Sequence, residues 1–346
     1  MMKKGNPYGT HRVIEPAGVL PQPAMKINND FSEIYDNEIL VDVEILNIDS
    51  ASFTQIKKQA EGDENKISEI INTIVNEKGK MQNPVTGSGG MFIGTVSRIG
   101  DALLSKISLK PGDRIASLVS LSLTPLKIKK IIEIKKDIDQ VKVEAQAVLF
   151  ESGIYAVLPD DIEPSLALAV LDVCGAPAQT ARFVKLNDTV VIIGAGGKSG
   201  MLCAYEAKKR VGPNGCIIGI EYSDRNIEYL KKLNLCNHIL KLDATDALDC
   251  YNNIEKITSG KMADLVINCV NIQNTEMGSI LMTKDKGIVY FFSMATSFTK
   301  AALGAEGVGK DVDMIVGNGY TAGHADLTLN ILRESEEIRK LYGEIY

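Results

Sequence analysis

Residues 189–221 constrain this chain more than any other stretch. They read Thr-Val-Val-Ile-Ile-Gly-Ala-Gly-Gly-Lys-Ser-Gly up to Gly200, then a helix-forming run over 201–211, then Cys-Ile-Ile-Gly-Ile-Glu up to Glu221. Val190, Val191, Ile192 and Ile193 are all β-branched, the signature of a strand buried on both faces. The strand runs into Gly194, Gly196, Gly197 and Gly200, which read as a Gly-x-x-Gly-x-x-Gly turn with one extra glycine. Residues without a Cβ let the backbone tighten and approach a ligand. The helix behind the turn offers unpaired N–H groups to an anion. A second apolar strand ends in Glu221, about 20 residues on, where a carboxylate can accept ribose hydroxyls. Strand, glycine turn, helix, strand and acid together predict a βαβ unit that binds a dinucleotide. Gly194, Gly196, Gly197, Lys198, Ser199 and Gly200 would lie at its pyrophosphate and Glu221 at its ribose.

The alternation continues downstream. Helices are expected over 224–233, 247–258 and 276–282, and strands over 238–242, 264–270, 287–294 and 313–316. Strands that alternate with helices specify a parallel, doubly wound sheet. Upstream the texture differs. Residues 1–36 are rich in Gly, Pro and Asn; 38–48 alternate as a strand; 57–80 carry Ile67, Ile70, Ile71 and Ile74 at helical spacing. Short strands and Gly or Pro-Gly turns fill 83–116, and further strands 141–159, as in a small curled β domain. Residues 165–182 are helical with a break at 175–177, and 326–342 form a final helical region.

The chain has 346 residues, enough for two domains. A net charge of −6 argues against a nucleic-acid surface. No apolar run approaches a membrane span, and the first residues lack the apolar core of a signal peptide, so a cytoplasmic location is expected. All six cysteines, Cys174, Cys203, Cys216, Cys236, Cys250 and Cys269, lie in the second half without a C-x-x-C pair, and free thiols are expected.

The order of parts resembles the medium-chain dehydrogenase/reductase superfamily. Asn-Pro-Val-Thr-Gly-Ser-Gly-Gly from Asn83 and Gly-Thr-Val-Ser-Arg-Ile-Gly from Gly94 look like one stretch of its pattern. Leu-Lys-Pro-Gly-Asp-Arg-Ile from Leu109 and Leu-Pro-Asp-Asp-Ile from Leu158 look like two others. The resemblance implies a GroES-like β-rich domain, residues 1–165 with 318–346, and a Rossmann domain, 166–317. It also implies a homodimer. Where zinc-dependent members keep metal ligands, this chain has Asp49, Ser88 and Cys174, and no cysteine precedes Cys174. Catalytic zinc needs three good ligands, so a zinc-free enzyme is expected. Three further segments, 6–23, 171–180 and 317–326, resemble an amine-oxidising branch. They imply NAD(P)-dependent oxidation of a diamino acid at a CH–NH2 carbon, with ammonia released. Zinc-free quinone or enoyl reductases of the superfamily are the alternative enzymes, and a non-catalytic nucleotide-binding protein is the third reading. Glu221 favours NAD, with Ser223 and Arg225 leaving NADP open.

A substrate with two ammoniums calls for carboxylates. Asp172, in the apolar run 168–174, and Asp49, after the first long strand, are the candidate catalytic acids. Ser52, Glu306 and His324 are the candidate substrate contacts, Glu306 from a glycine-rich loop over 304–309. A cap role for Asp49 and a structural role for Asp172 or His324 stand beside these readings.

Overall fold

The computed structural model describes residues 2–293, 295–317 and 319–346. The chain divides into two compact units, Met1–Leu168 and Ala169–Tyr346.

In the first unit a short ribbon pairs β1 (Val13–Glu15) with β2 (Lys26–Ile27). The main sheet contains β3 (Glu38–Asn47), β4 (Met91–Ile99), β5 (Arg114–Ser117), β6 (Leu126–Lys135), β7 (Gln140–Phe150) and β8 (Tyr155–Val157). Their order is β6-β7-β3-β4-β5-β8, with each neighbouring pair antiparallel. β6 falls outside the expected strands. Its register slips between Ile128 and Lys130 and again between Ile131 and Glu133. Each bulge resets the two-residue period that marks a strand in sequence.

The single helix expected over 57–80 is two helices, α1 (Ser50–Gln59) and α2 (Glu64–Lys78). Glu61 and Gly62 turn through positive φ between them, and Asp63 caps α2 by accepting from the Lys66 amide. Ile67 and Ile71 of α2 join Phe53 and Ile56 of α1 in a core with Val41, Leu46, Phe92 and Val141 of the sheet. Ile70 is only partly buried.

The second unit opens with α3 (Pro164–Leu171), which crosses the unit boundary, and α4 (Gly175–Phe183). The break between them lies at 172–174, not at the expected 175–177. Pro177 is the third residue of α4, where its missing N–H costs no intrahelical bond. Then follow β9 (Thr189–Ile193), α5 (Lys198–Val211), β10 (Cys216–Glu221), α6 (Asp224–Leu233), β11 (His238–Lys241), α7 (Ala247–Thr258) and β12 (Ala263–Asn268). After these come α8 (Glu276–Met282), β13 (Thr283–Phe291), α9 (Phe298–Val308), β14 (Asp313–Val316), α10 (His324–Glu334) and α11 (Glu336–Ile345). The strands form one parallel sheet in the order β11-β10-β9-β12-β13-β14. The expected strand over 287–294 begins earlier, at Thr283, and Met294 lies outside the described residues.

Two expectations need correction. The glycine-rich stretch 304–309 is not a loop: it is helical to Val308, and Gly309 is its left-handed C-terminal residue. Of the expected 318–346 addition to the first domain, the described residues 319–346 cluster with the second unit, not the first. α10 packs on α4 and α5, and α11 on α6. The buried stripe Leu329, Leu332, Ile338 and Leu341 supplies the apolar area for this docking. The Thr328 hydroxyl adds a hydrogen bond to the Cys174 carbonyl. Asn318 itself lies outside the described residues.

Candidate functional site

In an open parallel sheet, ligands bind at the carboxyl ends of the strands, where the strand order reverses. Here that point is β9, between β10 and β12. A cavity of about 510 Å³ lies there, lined by Gly194, Gly197, Glu221, Tyr222, Ser223, Asn226, Asp243 and Val270, among others. Its size is in the range of small-molecule sites, about 300–1,000 Å³.

The turn beside it is built as the glycine spacing predicts. Gly194 has φ 76°, a conformation that disfavours any side chain. Gly200 packs so closely that a Cβ would stand 2.0 Å from the Gly194 carbonyl oxygen. Gly197 is the N-cap of α5, and no side chain caps that end. The first amides of α5 therefore remain for an anion. Open amides, a close backbone and an adjoining cavity fit a dinucleotide phosphate.

Glu221 is placed differently from the expectation that it faces two ribose hydroxyls. It is buried, and its Oε1 accepts from the Gly196 amide at 2.8 Å. Oε2 accepts from the Tyr222 amide at 3.2 Å, and Asn226 Nδ2 lies 3.4 Å from both oxygens. The carboxylate ties the end of β10 to the glycine turn, with part of its acceptor capacity already used.

Asp172 does not lie within a helix but in the turn after α3, where it pairs with Lys198 Nζ at 2.9 Å. Ser199 is buried at the start of α5. Cys174 is buried, and burial with the nearby Asp172 charge pushes its thiol up to about 12. His324 is buried rather than aimed into open space. Its ring meets Tyr320 edge-on at 5.2 Å, and burial lowers its pKa against the opposing pull of Asp326. Glu306 is exposed on α9.

In the first unit Asp49 is the N-cap of α1: Oδ1 accepts from the Ser52 amide at 3.0 Å. Its Oδ2 is buried and has no hydrogen-bond partner among the described residues. Ser52 is buried, and its hydroxyl meets Thr86 Oγ1 at 2.5 Å, so it braces the 83–88 loop.

Sequence reasoning missed two parts of the site. Asn226 carries its carbonyl under Gly196, 2.4 Å from where a Cβ would be, and its side chain on Glu221. Asn268, at the end of β12, donates to Thr275 Oγ1 at 2.8 Å and Ser279 Oγ at 3.1 Å, and accepts from the Val270 amide. That network shapes the wall formed by 269–272. Neither residue belongs to a motif; an Asn ending an apolar strand was the one available signal.

Comparison with known proteins agrees with this architecture. Solved structures share the fold at low identity. A CurK enoyl reductase aligns with TM-score 0.55 and 15% identity over 86% of this chain and 79% of its own. A mycobacterial protein complexed with NADPH aligns with TM-score 0.55 and 15% identity over 92% and 85%. The fold is thus a GroES-like β-rich domain joined to a Rossmann domain. Residues 11–159 match the family of L-erythro-3,5-diaminohexanoate dehydrogenase N-terminal domains. Among curated proteins, the L-erythro-3,5-diaminohexanoate dehydrogenase of Fusobacterium nucleatum subsp. nucleatum is 61% identical over 100% of both chains. That of Acetoanaerobium sticklandii is 59% identical over 99% of both. With full-length identity of this order, the chain is an oxidoreductase and belongs to the L-erythro-3,5-diaminohexanoate dehydrogenase family.

Proposed function

We propose that this protein oxidises L-erythro-3,5-diaminohexanoate at C3, giving 5-amino-3-oxohexanoate and ammonia, as a cytoplasmic step of lysine fermentation. The observation that carries the reading is the full-length identity to two dehydrogenases of that name. NAD is the favoured oxidant, with NADP accepted less well, because a carboxylate at Glu221 repels a 2′-phosphate. The reaction uses no zinc: where zinc-dependent members of the superfamily keep three metal ligands this chain has Asp49, Ser88 and Cys174, and a serine hydroxyl does not replace a neutral imidazole.

An alkyl ammonium has a pKa near 10, and hydride leaves only from the carbon of a neutral amine. The amine must therefore lose a proton; a bound nicotinamide would supply the hydride acceptor, and water would hydrolyse the imine to ketone and ammonia. Asp49 is the better of the two candidate acids for holding an ammonium. Oδ2 is buried without a hydrogen-bond partner among the described residues, which is costly unless a ligand donor completes it. Asp172 already has Lys198 as partner.

Two measurements test these assignments. NAD and NADP reduction should be followed with erythro-3,5-diaminohexanoate, simple β-amino acids and alcohols, with and without chelator. NADPH-driven quinone and enoyl-thioester reduction should be run alongside. The diamino acid with NAD should dominate, untouched by chelation; turnover confined to quinones or enoyl thioesters, or a preference for NADP, sinks the corresponding part. Asp49→Asn keeps the helix cap and removes the charge. Its kcat/KM should fall roughly 30-fold or more, the effect of unpairing a buried charge, with melting near wild type. Unchanged kcat/KM would move the ammonium site elsewhere.

A homodimer is part of the reading. β14 is an edge strand, and Phe298, Leu303 and Val316 around it are exposed apolar residues, as an interface between sheet edges would require. A monomer in sedimentation would remove this element.

A further inference from the structure

Lys198 opens α5 within the glycine turn, yet contacts from outside the βαβ unit hold it. Its ammonium pairs with Asp172 at 2.9 Å. The same ammonium lies 5.2 Å from the centre of the Tyr346 ring. Its carbonyl accepts a hydrogen bond from the Tyr342 hydroxyl. Asp172 comes from the turn after α3, Tyr342 from α11, and Tyr346 from the residue that follows α11. The two tyrosine rings touch, with centroids 5.5 Å apart, and Tyr342 is fully buried.

None of this is needed to build the turn, which the glycines and α5 form by themselves. A lysine is among the side chains that lose most rotamer freedom when ordered. Ordering it on folding removes that cost from ligand binding. The means of holding it matters. An aromatic face attracts the ammonium through its quadrupole but brings no full negative charge. With Asp172 alone the pair is formally neutral, whereas a second carboxylate in the ring's place would make the cluster net negative and repel a phosphate. The lysine thus keeps ammonium N–H donors, rather than a net negative cluster, beside the positive end of the α5 dipole.

We propose that Tyr346, with Asp172 and the Tyr342 hydroxyl, is a positioning residue for the cofactor, presetting the Lys198 ammonium beside the open N-terminus of α5 as countercharge for the dinucleotide phosphates. This rests on the cofactor reading of the glycine turn. Tyr346 acts through Lys198 and touches no reacting atom.

A double-mutant cycle tests it. NADH fluorescence titrations at two salt concentrations, each with a thermal melt, compare wild type, Tyr346→Ala, Tyr346→Phe, Lys198→Ala and the Tyr346→Ala/Lys198→Ala double variant. Tyr346→Ala should raise the NADH Kd roughly 3- to 10-fold, the range of a partly desolvated cation–π contact. Tyr346→Phe should restore it. In the Lys198→Ala background, Tyr346→Ala should change Kd no further. Lys198→Ala should also flatten the salt dependence. Equal weakening by Tyr346→Ala in both backgrounds, or a lower melting temperature with unchanged Kd, would show a structural role only and overturn the proposal. An unchanged Kd in Lys198→Ala overturns it too, while Gly200→Ala decides independently whether the turn binds the cofactor at all.

Discussion

Alanine at position 200 will abolish most NADH binding while leaving a folded protein. The added Cβ would stand 2.0 Å from the Gly194 carbonyl oxygen and 2.7 Å from the Ala195 Cα. Both are backbone atoms and cannot swing aside, so the turn or the first turn of α5 must shift. The phosphate site is made of those same amides. A displacement of about 1 Å in such a site costs on the order of 100-fold in efficiency. Stability should fall by about 1–3 kcal/mol, as for other overpacked sites. Gly197→Ala is the companion. Its Cβ would meet only the Gly194 oxygen, at 3.3 Å, with nothing else within 4 Å. Its φ is −80°, which alanine adopts freely. That variant should melt near wild type yet bind NADH poorly, because the new methyl enters the cavity that Gly197 lines. Fluorescence titration and circular-dichroism melts read both effects. Wild-type NADH affinity in Gly200→Ala would remove the cofactor assignment.

Glu38→Gln should be the most destabilising conservative change in the first unit. Glu38 is buried and accepts from Arg12 Nε at 2.8 Å and Nη2 at 2.7 Å, a two-pronged pair, while His11 Nε2 lies 2.8 Å away. The Tyr35 amide donates to it at 2.9 Å. Arg12 is equally buried, and its remaining donors bond the Asp30 and Glu33 carbonyls. This cluster fastens the irregular arm to the start of β3. Removing the carboxylate charge leaves a buried guanidinium without its counterion, at a cost of about 3–5 kcal/mol. Total stabilities are of the order of 5–15 kcal/mol. Burial alone would raise the Glu38 pKa, but the hydrogen bonds from Arg12 and His11 and the Arg12 charge outweigh it and hold it at about 2. Because the folded pKa lies below the unfolded one, its stabilisation is fully present above the unfolded carboxylate value of about 4.3. It is lost as pH falls from there through about 2. Urea melts at pH 7 and at pH 3 should show the wild type losing stability over that interval and Glu38→Gln losing less. Equal acid sensitivity in both would show that other groups set the acid limb.

The cofactor turn was legible because its demands are local. Gly194 needs positive φ, Gly200 needs close approach, and both constraints act within a few residues of the chain. The alternation from β9 to β14 was legible for a related reason: each parallel strand is an apolar run bounded by a helix. Glu221 was identified, but its direction was not. Whether a carboxylate at the end of β10 faces a ribose or the Gly196 amide depends on Asn226 and on how α6 packs. Asp49 was open between cap and ligand roles, and the structure gives its two oxygens different surroundings.

By itself the sequence determined the two-part order of the chain, the βαβ unit and the glycine geometry, because short-range sterics and hydrophobic period decide these. Tertiary structure alone decided where residues 324–346 dock, since two amphipathic helices can cover any apolar surface of the right width. It also decided that Lys198 is held by Asp172 and Tyr346, which lie 26 positions before it and 148 after it. β6 and its bulges belong with these, as does the Arg12–Glu38 cluster. Contacts between residues far apart in the chain leave no period and no motif. They arise only when packing brings the partners together, and the burial they undergo sets their strength.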